Sequence, residues 1–484
     1  MDSTGILVGL RDLLPSDCLL TEAEDTRPFE CDGLTLIRQR PMAVALPRTH
    51  EELVKLLRFC HAHQVPVVPR GAGTGLAGSA VPHAQGVLLS MARFDRILHM
   101  DARARMAVVQ PGVRNLAISE AARPHGLYYA PDPSSQIACS IGGNVAENSG
   151  GVHCLKYGLT LHNVLAVRAL TAAGEEVQFG SAALDAPGLD LLALMIGSEG
   201  MLAVITEVTV RLVPLPRLAR CIMASFADVE HAGNAVAALI AAGIIPAGLE
   251  MLDQQAARLV EPFVNAGYDL AAAAILLCES DGTPEEVEAE IFAMEAVLQG
   301  SGATRLQVSG SEAERQRFWA GRKNAFPAAG RAAPAYYCTD GTIPRRHIGR
   351  MLKAIQDMER RYGLGCPNVF HAGDGNLHPL VLFDDGDPDS VARAEAFGAE
   401  ILEESLRLGG TITGEHGVGM EKLNQMCTQF ERGVLDAFTG VKRAFDPVGI
   451  LNPGKVIPTL HRCAEYGRMR VSGGRVAHPE LPRF

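Results

Sequence analysis

Apolar residues in the first half of the chain recur with two periods. After Thr49, the residues Leu53, Leu56, Leu57 and Cys60 fall on one face of a helix. Thr49 is a candidate N-cap, with Glu51 and Glu52 in the first turn. Val65 to Val68, Gly86 to Ser90 and Met106 to Gln110 read as short strands. Segment 202–213 alternates Val204, Thr206, Val208 and Val210 and predicts a longer one. Pro214 and Pro216 end it and mark the expected domain boundary. From there, strand and helix signals alternate, and no repeat is visible. The predicted organisation is a helical lead-in over 1–35, a Gly- and Val/Ile-rich domain over 36–215, a second domain over 216–458 and a solvated tail over 459–484.

Composition narrows the class. A chain of 484 residues, 47% apolar and 20% charged, suits two or three globular domains with a sizeable core. The net charge of −11 argues against general nucleic-acid binding, yet leaves room for a local basic pocket. The 11 cysteines include no CxxC pair. That suits a reducing compartment and argues against a cysteine-ligated iron–sulfur cluster on this chain. Met1 to Leu20 lacks a signal-peptide core, and the longest uncharged run, Ala235 to Leu249, contains Pro246. It falls short of the roughly 20 residues a spanning helix needs. The expectation is a cytoplasmic protein whose membrane contact, if any, is peripheral or made through partners.

Three glycine-rich loops carry the first chemical signal. Arg70-Gly71-Ala72-Gly73-Thr74-Gly75, continuing to Gly78 and Ser79, follows a predicted strand. Glycines there let backbone N–H groups approach a pyrophosphate. The spacing contains GxGxxG, but a dinucleotide-binding βαβ unit needs a helix to open inside the motif. Ser79-Ala80-Val81-Pro82 does not propagate one. Taken alone, this loop equally suits a structural turn. The second loop region holds Pro131, Ser135, Gly142, Gly143, Asn148 and Gly151, and the third is Gly197-Ser198-Glu199-Gly200. Three such loops suggest a large phosphate-containing cofactor held in extended form.

Together the loops resemble the flavin domain of the vanillyl-alcohol oxidase and p-cresol methylhydroxylase superfamily, over about 38–217. The resemblance implies an α+β fold: a two-lobed FAD-binding domain plus an antiparallel-sheet substrate, or cap, domain. It places Arg70, Gly71, Ala72, Gly73, Thr74, Gly75, Gly78 and Ser79 on the FAD pyrophosphate. It places Pro131, Ser135, Gly142, Gly143, Asn148 and Gly151 along the isoalloxazine and pyrophosphate path, and Glu199, Gly200 and Ile205 toward the adenosine. Members with covalent flavin carry a histidine where Thr74 stands, so non-covalent FAD is implied.

The second half holds His371-Ala372-Gly373-Asp374-Gly375-Asn376-Leu377-His378 between two apolar runs, and later Thr413-Gly414-Glu415-His416-Gly417. A turn at Gly373 to Asn376 would return His378 toward His371. Two imidazoles and a carboxylate suit a divalent transition metal with open positions. On spacing alone, ordinary turn histidines and a surface glutamate fit equally.

These segments, with the ending Phe445 to Lys455, resemble the flavin-linked D-lactate, D-2-hydroxyglutarate and glycolate dehydrogenases. The resemblance implies zinc, manganese or iron on His371, His378 and Glu415, with His416 as base. It puts Arg322 and Asn376 on the substrate and Asn452 near the flavin. Without that likeness, Arg322 reads equally as a helix surface charge, and Lys323 is expected to be solvated. The 2-hydroxyglutarate members carry a lysine where Cys338 aligns, so its absence here implies a monocarboxylate.

The expected function is flavin-dependent oxidation of glycolate or D-lactate to the 2-oxo acid. Electrons would pass to a second flavin subunit and an iron–sulfur subunit, or to another acceptor. A stand-alone D-lactate dehydrogenase and a flavin-binding scaffold subunit without turnover are the alternatives.

Overall fold

The computed structural model describes residues 2–183 and 188–459, so the predicted tail lies almost wholly outside it. Helix Ser3–Leu13 opens the chain and packs Ile6 and Leu10 against helix His50–His63 and the first sheet. Thr49 and Glu52 cap the second helix reciprocally, its Leu53, Leu56, Leu57 and Cys60 face inward, and Gln64 ends it in the left-handed region. The first sheet runs Leu19–Leu20, Ala43–Ala45, Val87–Ser90, Val67–Arg70. Its last three strands are parallel. Strand Val67–Arg70 delivers the chain into the glycine loop, and no helix follows before Asn115. That disposes of a Rossmann unit.

The second sheet is antiparallel, in the order Ile97–Asp101, Met106–Val109, Val204–Arg211, Val164–Leu170, Glu176–Gly180. Ile141 and Val145 of helix Ile141–Glu147 join its core, so the second glycine loop is anchored against it. Pro214 closes a short pairing with Leu127, and strand Leu218–Phe226 then opens a new sheet.

That third sheet, also antiparallel, runs Arg305–Val308, Leu218–Phe226, Ala274–Gly282, Gly248–Asp253, Val369–His371. Val229–Ala241, Pro284–Gly300 and Ile348–Tyr362 cover one face. Gln254–Val264, Glu312–Lys323 and Ala325–Ala332 cover the other. The chain end then returns to the first domain. Ile450 accepts from the Val67 N–H, Asn452 donates to the Val67 carbonyl, and Leu451 is buried in the first core. Among the described residues, no helix is long and apolar enough to cross a membrane.

Candidate active site

A cavity of roughly 590 Å³ lies between the glycine loops and the cap domain. Arg70, Gly71, Ala72, Gly73, Thr74, Gly75 and Ser79 line it, as do Ser135, Gly142, Gly143, Glu199, Gly200 and Ile205. His378, Glu415 and His416 line the same cavity. Close packing accounts for two of these glycines. A Cβ on Gly71 would meet Ser140 Oγ at 2.2 Å, and one on Gly73, at φ +72°, would enter the Arg70 guanidinium. The Ser140 hydroxyl borders this cavity and has no partner within the protein. A bare backbone surface with an unspent hydroxyl fits an extended phosphate-bearing cofactor such as FAD.

Several residues expected on the cofactor also shape the loops that hold the cavity. Gly78, at φ +78°, packs against Met420. Asn148, at φ +53°, ends helix Ile141–Glu147 in the left-handed region and accepts the Leu161 N–H. Pro131 offers its carbonyl to Asn115, and Gly151 lies against the Asp132 carbonyl. The Glu199 carboxylate is consumed by Ser79 Oγ and the N–H groups of Val418 and Gly419. It ties the flavin loops to the cap. Asn452 donates to the carbonyls of Ser79 and Glu199, fixing the same junction.

The histidines meet because the chain turns tightly. The N–H of His371 donates to Asn376, and that of Gly375 donates back to His371. Gly375 sits at φ +83°, where a Cβ would meet the Ile343 carbonyl at 2.1 Å, so only glycine serves. The rings of His371 and His378 end 4.9 Å apart. Glu415 Oε1 lies 3.2 Å from His371 Nε2 and 3.0 Å from His378 Nε2. Its other oxygen accepts the Gly150 N–H, so the first domain holds a residue of the second. The donor atoms of His371, His378 and Glu415 all lie within 4.8 Å of one another, two nitrogens and an oxygen in an arrangement able to take a divalent metal.

Two buried carboxylates organise this set. Glu250 stands directly opposite His371 in the antiparallel register. Its Oε1 meets His371 Nδ1 at 2.6 Å, and its Oε2 accepts from Arg322 Nε at 2.6 Å. Arg322 is 2% exposed, and its Nη2 has no partner. It therefore lies behind the cavity wall, while exposed Lys323 stands at the mouth. Asp340 Oδ2 accepts the N–H groups of Gly414, Glu415 and His416. Its Oδ1 pairs with the fully buried Lys422 ammonium, which also donates to the Gly417 carbonyl. Asn376 donates to the Asp340 carbonyl and packs on Gly414, so its amide serves the loop and does not reach the cavity.

Protonation follows from these neighbours. Burial opposes charge on His371, but Glu250 and Glu415 overcome it and hold its pKa well above the ordinary range. Burial, with the charges of His416 and His371, drives His378 well below it. Burial also lowers His416, against the pull of Asp340. Asp340 stays below the usual carboxylate range because Lys422 and His416 outweigh its burial.

Glu250, Asp340 and Lys422 were not expected from the sequence. A charge inside the apolar run Gly248 to Leu252 is the one signal that could have singled out Glu250.

Residues 41–180 match the family model described as FAD binding domain. Residues 215–456 match that of the FAD linked oxidases, C-terminal domain. Glycolate oxidase subunit GlcD of Escherichia coli (strain K12) is 57% identical over 484 residues, covering 100% of this chain and 97% of that protein. A D-lactate dehydrogenase of Anaerostipes hadrus is 31% identical over 459 residues, covering 92% and 96%. The structure of p-cresol methylhydroxylase with substrate bound superposes with a TM-score of 0.81 at 17% identity, covering 95% of this chain and 97% of that one. That likeness shows the vanillyl-alcohol oxidase-type fold. The protein is thus an FAD-dependent oxidoreductase. It belongs to the FAD-linked oxidases, beside the GlcD subunits of glycolate oxidase.

Proposed function

We propose that the protein oxidises a short 2-hydroxy acid, glycolate or D-lactate, to the 2-oxo acid. The observation that carries this reading is the continuity of one cavity from the glycine loops to His378, Glu415 and His416. The names of the relatives, glycolate oxidase and D-lactate dehydrogenase, agree with it.

His371, His378 and Glu415 would hold a divalent metal, zinc, manganese or iron. When bound, it would lower the pKa of a substrate hydroxyl. FAD, held without a covalent link, would supply the hydride acceptor.

The chain's own residues have distinct tasks. His416, kept neutral by burial, accepts the hydroxyl proton. Asp340, 3.9 Å from its Nδ1, favours the imidazolium that results. That leaves Nε2 as the working nitrogen. Arg322, behind the cavity wall with Nη2 unpartnered, lends its positive charge to the substrate carboxylate and would reach it only if the wall shifts. Cys338 is buried beside His378 and His416 and offers no cation for a second carboxylate, which favours a monocarboxylic substrate. Electrons then leave for partner subunits, a second flavin subunit and an iron–sulfur subunit, as the kinship to a glycolate oxidase subunit suggests.

The test is anaerobic. FAD- and metal-loaded protein is mixed in turn with glycolate, D-lactate, L-lactate and D-2-hydroxyglutarate, and the visible flavin band is followed. Bleaching by glycolate or D-lactate alone is expected. No bleaching by any of the four, with FAD bound, would favour a scaffold subunit without turnover.

A further inference from the structure

The His371–His378–Glu415 set leaves one edge of His378 unused. His378 Nε2 faces Glu415 at 3.0 Å, while its Nδ1 is buried without a partner. His416 Nδ1 is likewise buried and makes no hydrogen bond. The two rings lie nearly parallel, their centroids 5.0 Å apart. Beside them is Cys338, the last residue of strand Ala335–Cys338, 3% exposed and paired across the ladder with Leu380. Its thiol makes only a weak contact, at 3.6 Å, with the Thr339 carbonyl. Donor atoms of Cys338, His378 and His416 all lie within 4.8 Å of one another.

We propose that Cys338, His378 and His416 form a second cation site, selective for thiophilic divalent ions such as zinc or cadmium, whose occupation inhibits the enzyme. Sulfur with two imidazoles is a donor set such ions prefer over the harder cations that carboxylates suit. Donors around a tetrahedral ion stand roughly 3–4 Å apart, so small side-chain shifts complete the site. The route to the site is the flavin cavity, which His378 and His416 line, with Cys338 buried behind them. As the sulfur–metal bond forms, the thiol proton leaves to solvent, and no electrons move. Inhibition follows from the shared residues. An ion here shares His378 with the His371–His378–Glu415 set and occupies the imidazole assigned to the substrate proton. That consequence rests on the proposed function. Binding itself does not.

The test uses FAD-loaded, metal-depleted protein titrated with cadmium, reading the ultraviolet thiolate-to-cadmium charge-transfer band. The other buried cysteines are controlled by taking the difference between wild type and the variants Cys338→Ser and Cys338→Ala. FAD content and melting temperature verify that both remain folded. The wild type is expected to show a saturable band that both variants lack and His371→Gln retains. Cadmium should block substrate bleaching in the wild type at a concentration lower than in Cys338→Ser by at least the roughly tenfold that loss of even an outer-shell partner brings. A wild type without the band, or variants that keep it undiminished, would overturn the proposal. The bleaching assay uses FAD- and metal-loaded protein, and its failure before cadmium is added would count against the proposed function alone, since the band needs no substrate.

Discussion

Glu250 holds His371 by its Nδ1 edge at 2.6 Å, and the same carboxylate holds Arg322 Nε at 2.6 Å. One buried side chain thus orients an expected metal ligand and an expected substrate clamp together. Carboxylate partners of ligating histidines typically contribute 10- to 100-fold to metal affinity. Glu250→Gln is therefore expected to weaken zinc or manganese binding by about that factor, measured by competition with a chelator. Glu250→Ala would also leave Arg322 buried without its carboxylate, a change that costs about 3–5 kcal/mol. Urea unfolding checks this, and an unchanged midpoint would show that Arg322 finds another partner.

The Asp340–Lys422 pair fixes the backbone of residues 414–417 and the Thr413 hydroxyl. Both side chains are fully buried. Removing either charge alone leaves the other buried without its nearest partner, although Glu421 still lies 3.6 Å from the Lys422 ammonium, and the expected loss is about 3–5 kcal/mol for Asp340→Asn or Lys422→Met. The double variant should recover part of it, because Asp340 and Lys422 are then neutral together, while Glu421 loses its Lys422 contact. Additive losses in chemical denaturation would contradict this.

Gly417 lies over two glutamates at φ +83°, where a Cβ would come 2.3 Å from Glu147 Oε2 and 2.8 Å from Glu199 Oε1. Glu199 is the link between the Ser79 loop and Val418–Gly419. Gly417→Ala is expected to destabilise the fold by about 1–3 kcal/mol through strain and to lower FAD retention on gel filtration. Retention equal to the wild type would show that the junction yields without disturbing the cofactor cavity.

His153 gives the domain junction a pH dependence. It lies between Asp132, at 2.8 Å, and Glu279, at 3.4 Å, and Glu279 is also held by Arg315 and Trp319. Burial opposes its charge, but Asp132 and Glu279 raise its pKa well above the ordinary value. The folded state therefore binds the proton more tightly than the unfolded chain. The stabilisation is complete below the unfolded value of about 6.5 and is lost as pH rises through the higher folded-state pKa. Melting temperatures from neutral to mildly alkaline pH should fall more steeply for the wild type than for His153→Gln. Parallel slopes would assign the effect elsewhere.

Much of the architecture was legible because its signals are local. The Thr49 cap, the helix face through Cys60 and the strand around Val204 to Val210 are written in consecutive residues. The turn at Gly373 to Asn376, likewise local, does bring His371 and His378 together. Glu250 and Asp340 were missed because their partners are remote. Glu250 meets His371 across 121 positions, and Asp340 meets Lys422 across 82. Only the strand register and the packing of the cap make those contacts. Asn148 and Asn452 were expected at the flavin, yet each spends its side chain on backbone groups.

The central claim is that this chain itself oxidises the hydroxy acid, with His416 taking the proton. Its most direct test is single-turnover anaerobic reduction of bound FAD by glycolate or D-lactate, in wild type and His416→Gln with equal FAD content. The account predicts bleaching in the wild type without partner subunits, slowed by about 10²- to 10⁴-fold in the variant. Equal rates in the two proteins, or no bleaching of the loaded wild type, would contradict it.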